Sequence, residues 1–450
     1  MGLSARHVEN IAPAAAGGPP VADARNRDKI LMLGATVARM GLNLLTFVLL
    51  ARYLGPQPFG VIATALSYAT LVSLVSDFGF AVSTLRAASG APERAGVFVR
   101  EALTVKAAIM AALTVPASVV AIIWVPLAWL PIYALALVGA GAYSAAELSL
   151  VTVRAARRFD LEAKLVVVGS GLMLAILGGV VWLTRDLTAA AIAVAGTRLL
   201  YLLVNLIAVR KLLFKGSGEG GLGTRMAMRA RQSLSYAVDS VLTNLSSQID
   251  VLVFGALLSA HAIGIYQSGA RLVQAILPFA VVLSTVYLPT LSAAAAAGDR
   301  GAFARNARRL NREFAALALV GGLGFAFVGP LATGLVYGPA YAELDPLWGG
   351  FGAFATVRLV SASYGIQLAA LGKIGYRIAA QLVAIVAFGL ATMLVLPRYG
   401  VAATSWLLAV SSMPAQLVLA YALWRSNFGV AALMVTLVVP ASAIAVIASF

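Results

Sequence analysis

Four arginines stand deep inside long apolar runs of this 450-residue chain: Arg39, Arg198, Arg271 and Arg358. Asp77, Glu147, Asp239 and Asp250 share that setting. A charged side chain at the centre of a bilayer costs roughly 2.5–3.5 kcal/mol on insertion scales, so each needs a partner, a wet cavity or a task. A guanidinium offers a planar fork of donors that fits the oxygens of a carboxylate or a phosphate. A carboxylate at such depth either balances an arginine or exchanges a proton. Depth sorts the eight. About the turn at 258–262, Asp250 lies roughly ten residues before the centre and Arg271 about eleven after it, so the two are expected to pair. Glu147 and Asp239 lie within about two turns of the ends of their runs and read as structural. Arg39, Arg198 and Arg358 lie about nine to eleven residues into theirs, with no acid at matching depth on a sequence-adjacent helix. These three are expected to face a cavity and bind an anionic ligand; the plainer alternative is a pair with Asp77 or a carbonyl at a helix break. Asp77 reads as a gating or coupling carboxylate, a role for which Asp250 and Arg271 are also candidates.

Thirteen apolar stretches carry these residues, among them 30–51, 59–85, 103–125, 129–152, 233–257, 262–290 and 429–450. Each approaches the roughly 20 residues that span a bilayer as a helix. Only 11% of residues are charged, against roughly 25% in a soluble chain. The mean hydropathy is +0.93. The fold class is therefore an all-α polytopic membrane protein.

Charge fixes its orientation. Of 33 Lys and Arg, 26 fall in the N-terminus and the even-numbered loops, with Lys106 counted among them; Arg52, Arg185 and Arg398 alone fall in the odd loops. That asymmetry places the N-terminus in the cytoplasm and the protein in the inner (plasma) membrane. A net charge of +16 would suggest nucleic acid in a soluble protein. Here the basic residues border apolar helices, so anionic membrane lipids are the expected partner and nucleic acid is not. In GDRGAFARNARRLNREF (298–314), Phe303, Leu310 and Phe314 share one face opposite the arginines. That pattern fits a helix lying on the anionic leaflet, or charge that merely sets topology.

Enzyme chemistry finds little support. There is no cysteine, and His7 and His261 have no second ligand nearby, so neither a metal nor a cofactor is expected. No Lys precedes Ser or Thr, which excludes a phosphate-binding loop. GSGEGG (216–221) formally matches a dinucleotide fingerprint but follows no strand and reads as a linker. The longest outside loop, 338–346, is too short to house catalysis.

The chain also repeats. LARYLGPQPFGVIAT (50–64) aligns with FGALLSAHAIGIYQS (254–268) at an offset of 204, matching Leu54 to Leu258 and Gly60 to Gly264. Each copy opens a block of six spans, so both blocks enter the membrane in the same sense. The expected organisation is a disordered cytoplasmic tail (1–29), a six-helix bundle (30–209), a basic linker (210–232), a second six-helix bundle (233–424) and a C-terminal apolar helix (425–450). That last segment fits either a true thirteenth span or a hairpin clipped before its second helix. Two related bundles around a central cavity are a transporter architecture.

The segment LARYLGPQPFGVIATALSYATLVSLVSDFGF (50–80) resembles the opening of the polysaccharide transporter family, within the multidrug/oligosaccharidyl-lipid/polysaccharide exporter superfamily. IDVLVFGALLSAHAIGIYQSGARL (249–272), LVYGPAYAELDPLW (335–348) and LPRYGVAATSWLLAVS (396–411) match the same pattern in the same order. The resemblance implies a flippase that moves polyprenyl-phosphate-linked glycans by alternating access, with polysaccharide polymerase machinery as a candidate associate. A multidrug or metabolite antiporter of the superfamily is the alternative, but it should carry acids rather than arginines at mid-depth. A membrane-embedded sugar-polymer ligase or transferase is the second alternative, and it should carry an extended polar outside loop.

Overall fold

The computed structural model describes residues 21–77, 80–214, 245 and 247–426. No strand occurs among them. Nine helical runs among these residues are long and apolar enough to cross a membrane. The first helix, α1 (Val21–Leu54), ends where Gly55 takes φ +81°, a left-handed conformation that glycine reaches without strain. Pro56 then opens α2 (Pro56–Asp77), a position where its missing N–H has no helical partner to lose. There follow α3 (Phe80–Gly90), α4 (Ala95–Trp124), α5 (Leu130–Ser149), α6 (Val151–Ala155), α7 (Phe159–Thr184) and α8 (Leu187–Leu213). Asp186 caps α8 by accepting the N–H of Ala189 at 2.7 Å.

The second half holds α9 (Ile249–Leu257), α10 (Ala260–Gln274), α11 (Leu277–Ala296), α12 (Arg300–Ala332), α13 (Trp348–Ala370), α14 (Ile374–Tyr399) and α15 (Thr404–Arg425). Within each half the fourth and sixth spans pack closely, α5 against α8 and α13 against α15. Small residues permit this: a Cβ on Gly350 would lie 2.3 Å from Ser405 Oγ. The largest side chains that are fully buried, Trp348, Tyr266 and Tyr341, belong to the second half. On α4, by contrast, Val115, Val119, Ile122 and Ile123 are exposed, an apolar face suited to lipid.

The repeated segments meet each other. A Cβ on Gly60 would lie 1.8 Å from the carbonyl oxygen of Ala260, and one on Gly264 would lie 1.8 Å from that of Pro56. Residues 56 and 260 are themselves related by the offset of 204, so the crossing of α2 and α10 is self-complementary. Further contacts tie the halves together at this end. Arg52 donates to the carbonyls of Leu335 at 2.8 Å and Val336 at 3.1 Å, and Tyr341 donates to Ala51 O at 2.7 Å.

Four expectations need amendment. The polar stretch 21–29 is helical and continuous with the first span. The eighth span is broken: α10 ends at Gln274, and Ala275 and Ile276 form a turn before α11. The basic segment 298–314 is no separate surface helix, since α12 runs unbroken from Arg300 to Ala332. Its Phe303, Leu310 and Phe314 are fully buried against protein rather than lipid. Lys106, counted with loop charges, lies inside α4 with a side chain only 3% exposed. Asp239, most of the linker 210–232 and nearly all of segment 425–450 fall outside the described residues.

Candidate functional site

Arg39 sits midway along α1 and has an acid after all. Its Nη1 lies 3.5 Å from Glu147 Oε1, which also accepts the phenol of Tyr201 at 3.2 Å. Glu147 belongs to α5, which is remote from α1 in sequence and reaches it only in the fold. The other oxygen of Glu147 lies 3.9 Å from Arg154, and Arg154 in turn holds Glu162 at 2.8 Å. Alternating charges thus run from mid-helix toward the end of the first half that carries Arg154. About a third of the Arg39 side chain stays exposed, so the pair leaves part of the guanidinium available.

Arg198 has no such acid among the described residues. Its guanidinium lies 5.7 Å from the centroid of the Tyr143 ring, a cation–π contact. The Tyr143 ring stacks on Tyr201 at 5.8 Å. Gly139 makes room for the arginine stem, because a Cβ there would stand 3.2 Å from Arg198 Cδ. The Tyr143 phenol and a second arginine, Arg271 of the other half, are in electrostatic range of Arg198. Arg271 lies over the Phe47 ring of α1 at 4.2 Å and donates to Gln274 Oε1 at 3.2 Å. Its Nε is buried without a hydrogen-bond partner. Each of these two arginines, from opposite halves, thus rests on an aromatic face.

The expected Asp250–Arg271 pair does not form as a contact. Asp250 instead accepts the phenol of Tyr266 on Oδ2, while Arg271 turns to Gln274 and Phe47. The two remain within electrostatic range. Asp77 is claimed by neither Arg39 nor a backbone break. Lys106 donates to its Oδ1, and Ser144 donates to both of its oxygens at 2.8 and 2.7 Å. Arg358 lines a cavity of the second half that Asp250 also lines. The three arginines singled out from the sequence therefore divide among an ion pair, an aromatic platform and a cavity.

Sequence reading missed Glu147 as the partner of Arg39, and it missed the rings of Phe47 and Tyr143. A signal for part of this was available: Tyr143 and Glu147 are four residues apart on one helix face, and Arg198 and Tyr201 are three apart on another.

The sequence profile of a family described as polysaccharide biosynthesis protein matches residues 27–295. No curated protein matches the chain at significant similarity. Among solved structures, the inward-facing form of a multidrug resistance MATE family transporter of the MOP superfamily aligns with a TM-score of 0.63 at 13% identity. That alignment covers 89% of this chain and 99% of the other. The lipid II flippase MurJ, in an inward closed conformation, gives the same score and identity over 93% of this chain and 98% of that one. A MOP superfamily transporter from Pyrococcus furiosus, described by the reverse polarity of its binding pocket, gives 0.58 at 15% identity over 91% and 96%. The long apolar helices, the self-complementary crossing of two halves and the profile match over most of the chain lead to one assignment: this multi-pass membrane protein belongs to the polysaccharide biosynthesis protein family and has the fold of the MOP superfamily transporters.

Proposed function

We propose that the chain is a flippase that carries polyprenyl-phosphate-linked glycans across the cytoplasmic membrane by alternating access of its two halves. The observation that carries this reading is Arg198, which lies over the Tyr143 ring and makes no ion pair among the described residues, with Arg271 of the other half in electrostatic range of it. A mid-membrane arginine without an ion pair disfavours a cationic drug and favours an anionic carrier phosphate. Arginine suits that role, since its fork forms two charge-assisted bonds to phosphate oxygens at once. Tyr143 and Phe47 lie against the faces of the two guanidinium groups, and Arg271 also donates to Gln274. Arg39, half-engaged by Glu147, stands close by in the first half as a third contact. Lipid II is the named cargo of one similar structure, which agrees with a lipid-linked glycan here. The N-terminus lies in the cytoplasm on this reading, and the cleft opens toward it when the crossing of α2 and α10 is closed.

Complementation of a transporter-null strain tests the proposal. Arg198→Ala should abolish export of the surface glycan while membrane abundance stays normal. Arg198→Lys keeps charge but loses the fork and should restore only part of export. Full export by the alanine variant would remove the anionic-carrier reading.

A further inference from the structure

A cavity of about 210 Å³ lies within the second half, between α9, α10, α13, α14 and α15. Its polar groups are of mixed sign. Asp250 is 9% exposed; Tyr266 satisfies its Oδ2, and its Oδ1 has no side-chain partner. Arg358 lines the same space and makes no hydrogen bond or ion pair among the described residues. The two are in electrostatic range but not in contact, so a gap separates an acceptor from a set of donors.

Around that gap stand neutral groups. Gln274 has its oxygen engaged by Arg271, which leaves its amide nitrogen free to donate. Ser411 and Ser412 both donate to Leu408 O, at 3.3 and 2.7 Å, and so offer their lone pairs inward as acceptors. The turn at Ala275 and Ile276 ends α10 beside the cavity. Phe354 and Phe388 add aromatic surface.

Charge decides what can enter. A phosphate would meet the carboxylate of Asp250, and a bare metal cation would meet the guanidinium of Arg358. A neutral ligand that both donates and accepts satisfies all of these groups at once. Ring hydroxyls do so, with one donating to Asp250 Oδ1 and neighbours accepting from Arg358 and Gln274. A cavity of roughly 150 Å³ accommodates a benzene ring, so the larger space here admits a six-membered ring with oxygen substituents. Aromatic walls suit the apolar faces of such a ring.

From this arrangement we infer that the cavity is a subsite for one neutral sugar unit of the transported glycan, held between Asp250 and Arg358. The inference rests on the flippase reading and adds to it a separation of labour. Cleft arginines take the carrier phosphate, and the cavity in the second half takes a sugar.

The full-length chain in lipid nanodiscs tests this with two probes: undecaprenyl pyrophosphate bearing no sugar, and the glycan-bearing undecaprenyl pyrophosphates extracted from the host membrane. Wild type should hold the glycan-bearing lipids about tenfold tighter than the bare carrier, as expected for hydrogen bonds to charged groups. Ser412→Leu leaves both charges in place and narrows the cavity; it should remove that tenfold preference and leave the affinity for the bare carrier as it was. Arg358→Gln should do the same. Equal affinity of wild type for the two probes would overturn the inference, and so would an unchanged preference in folded Ser412→Leu or an equal loss for both probes. Failure of wild type to bind either probe would instead overturn the flippase reading itself.

Discussion

Replacing Gly60 by alanine should prevent the two halves from closing on each other at the crossing of α2 and α10. The added Cβ would fall 1.8 Å from Ala260 O, whereas ordinary contact begins near 3.4 Å. The helices would have to part by about 1.6 Å, since the obstacle is a backbone carbonyl that no rotamer change can move. Overpacking of this kind costs about 1–3 kcal/mol. At the upper end, that moves an equilibrium between closed and open crossings by roughly 100-fold. The chain has no cysteine, which makes the shift easy to read. Ala63, one turn from Gly60 and fully buried, can be replaced by a single cysteine and challenged with a membrane-impermeant maleimide from outside. Ala63→Cys alone should react slowly. Adding Gly60→Ala, or Gly264→Ala on the opposite helix, should raise the labelling rate at least about tenfold, with export of glycan falling in parallel. A folded double variant that labels no faster than Ala63→Cys would show that the crossing does not govern access from that side.

Two further outcomes follow from the charges. A reporter fused after Arg308 should report the cytoplasm and one after Gly338 the outside, measured by paired phosphatase and fluorescent-protein fusions; the reverse result would invert the whole orientation. Lys106→Met should lower the melting temperature of the purified protein, with a loss of about 3 kcal/mol, because Asp77 is left without its cation. Adding Asp77→Asn should recover much of it, and additive losses in that double variant would count against a structural pair.

The all-helical, membrane-spanning character was legible because lipid imposes so few choices, helices of about 20 apolar residues above all. The repeat put Gly60 and Gly264 at equivalent places, but that their helices cross one another came only from the fold. Partner choice was not legible either. Arg39 found its acid on α5, a helix that sequence order does not make its neighbour, and Asp250 preferred the phenol of Tyr266 to an arginine at equal depth. Depth along a helix can be counted from residues, but rotation about its axis depends on packing against neighbours far away in the chain. The same blindness explains segment 298–314, where Phe303, Leu310 and Phe314 form an apolar face that would serve lipid or protein equally well. Lys106 misled for another reason: its position at the edge of the apolar stretch 103–125 suggested a loop, yet it lies well inside α4 and its long stem reaches to Asp77 and Ser144.

The crossing of α2 and α10 also bears on how such a chain arose. An interface in which position 60 meets 260 while 264 meets 56 is isologous, the form taken by a twofold homodimer. A half-length ancestor that dimerised in parallel through this surface would have needed a single glycine, read once by each subunit. Duplication and fusion would then turn one position into two, each free to drift alone. Most of the two segments has drifted, leaving few identities across the offset of 204. The glycines have not, because each still faces a carbonyl oxygen in the space a side chain would occupy.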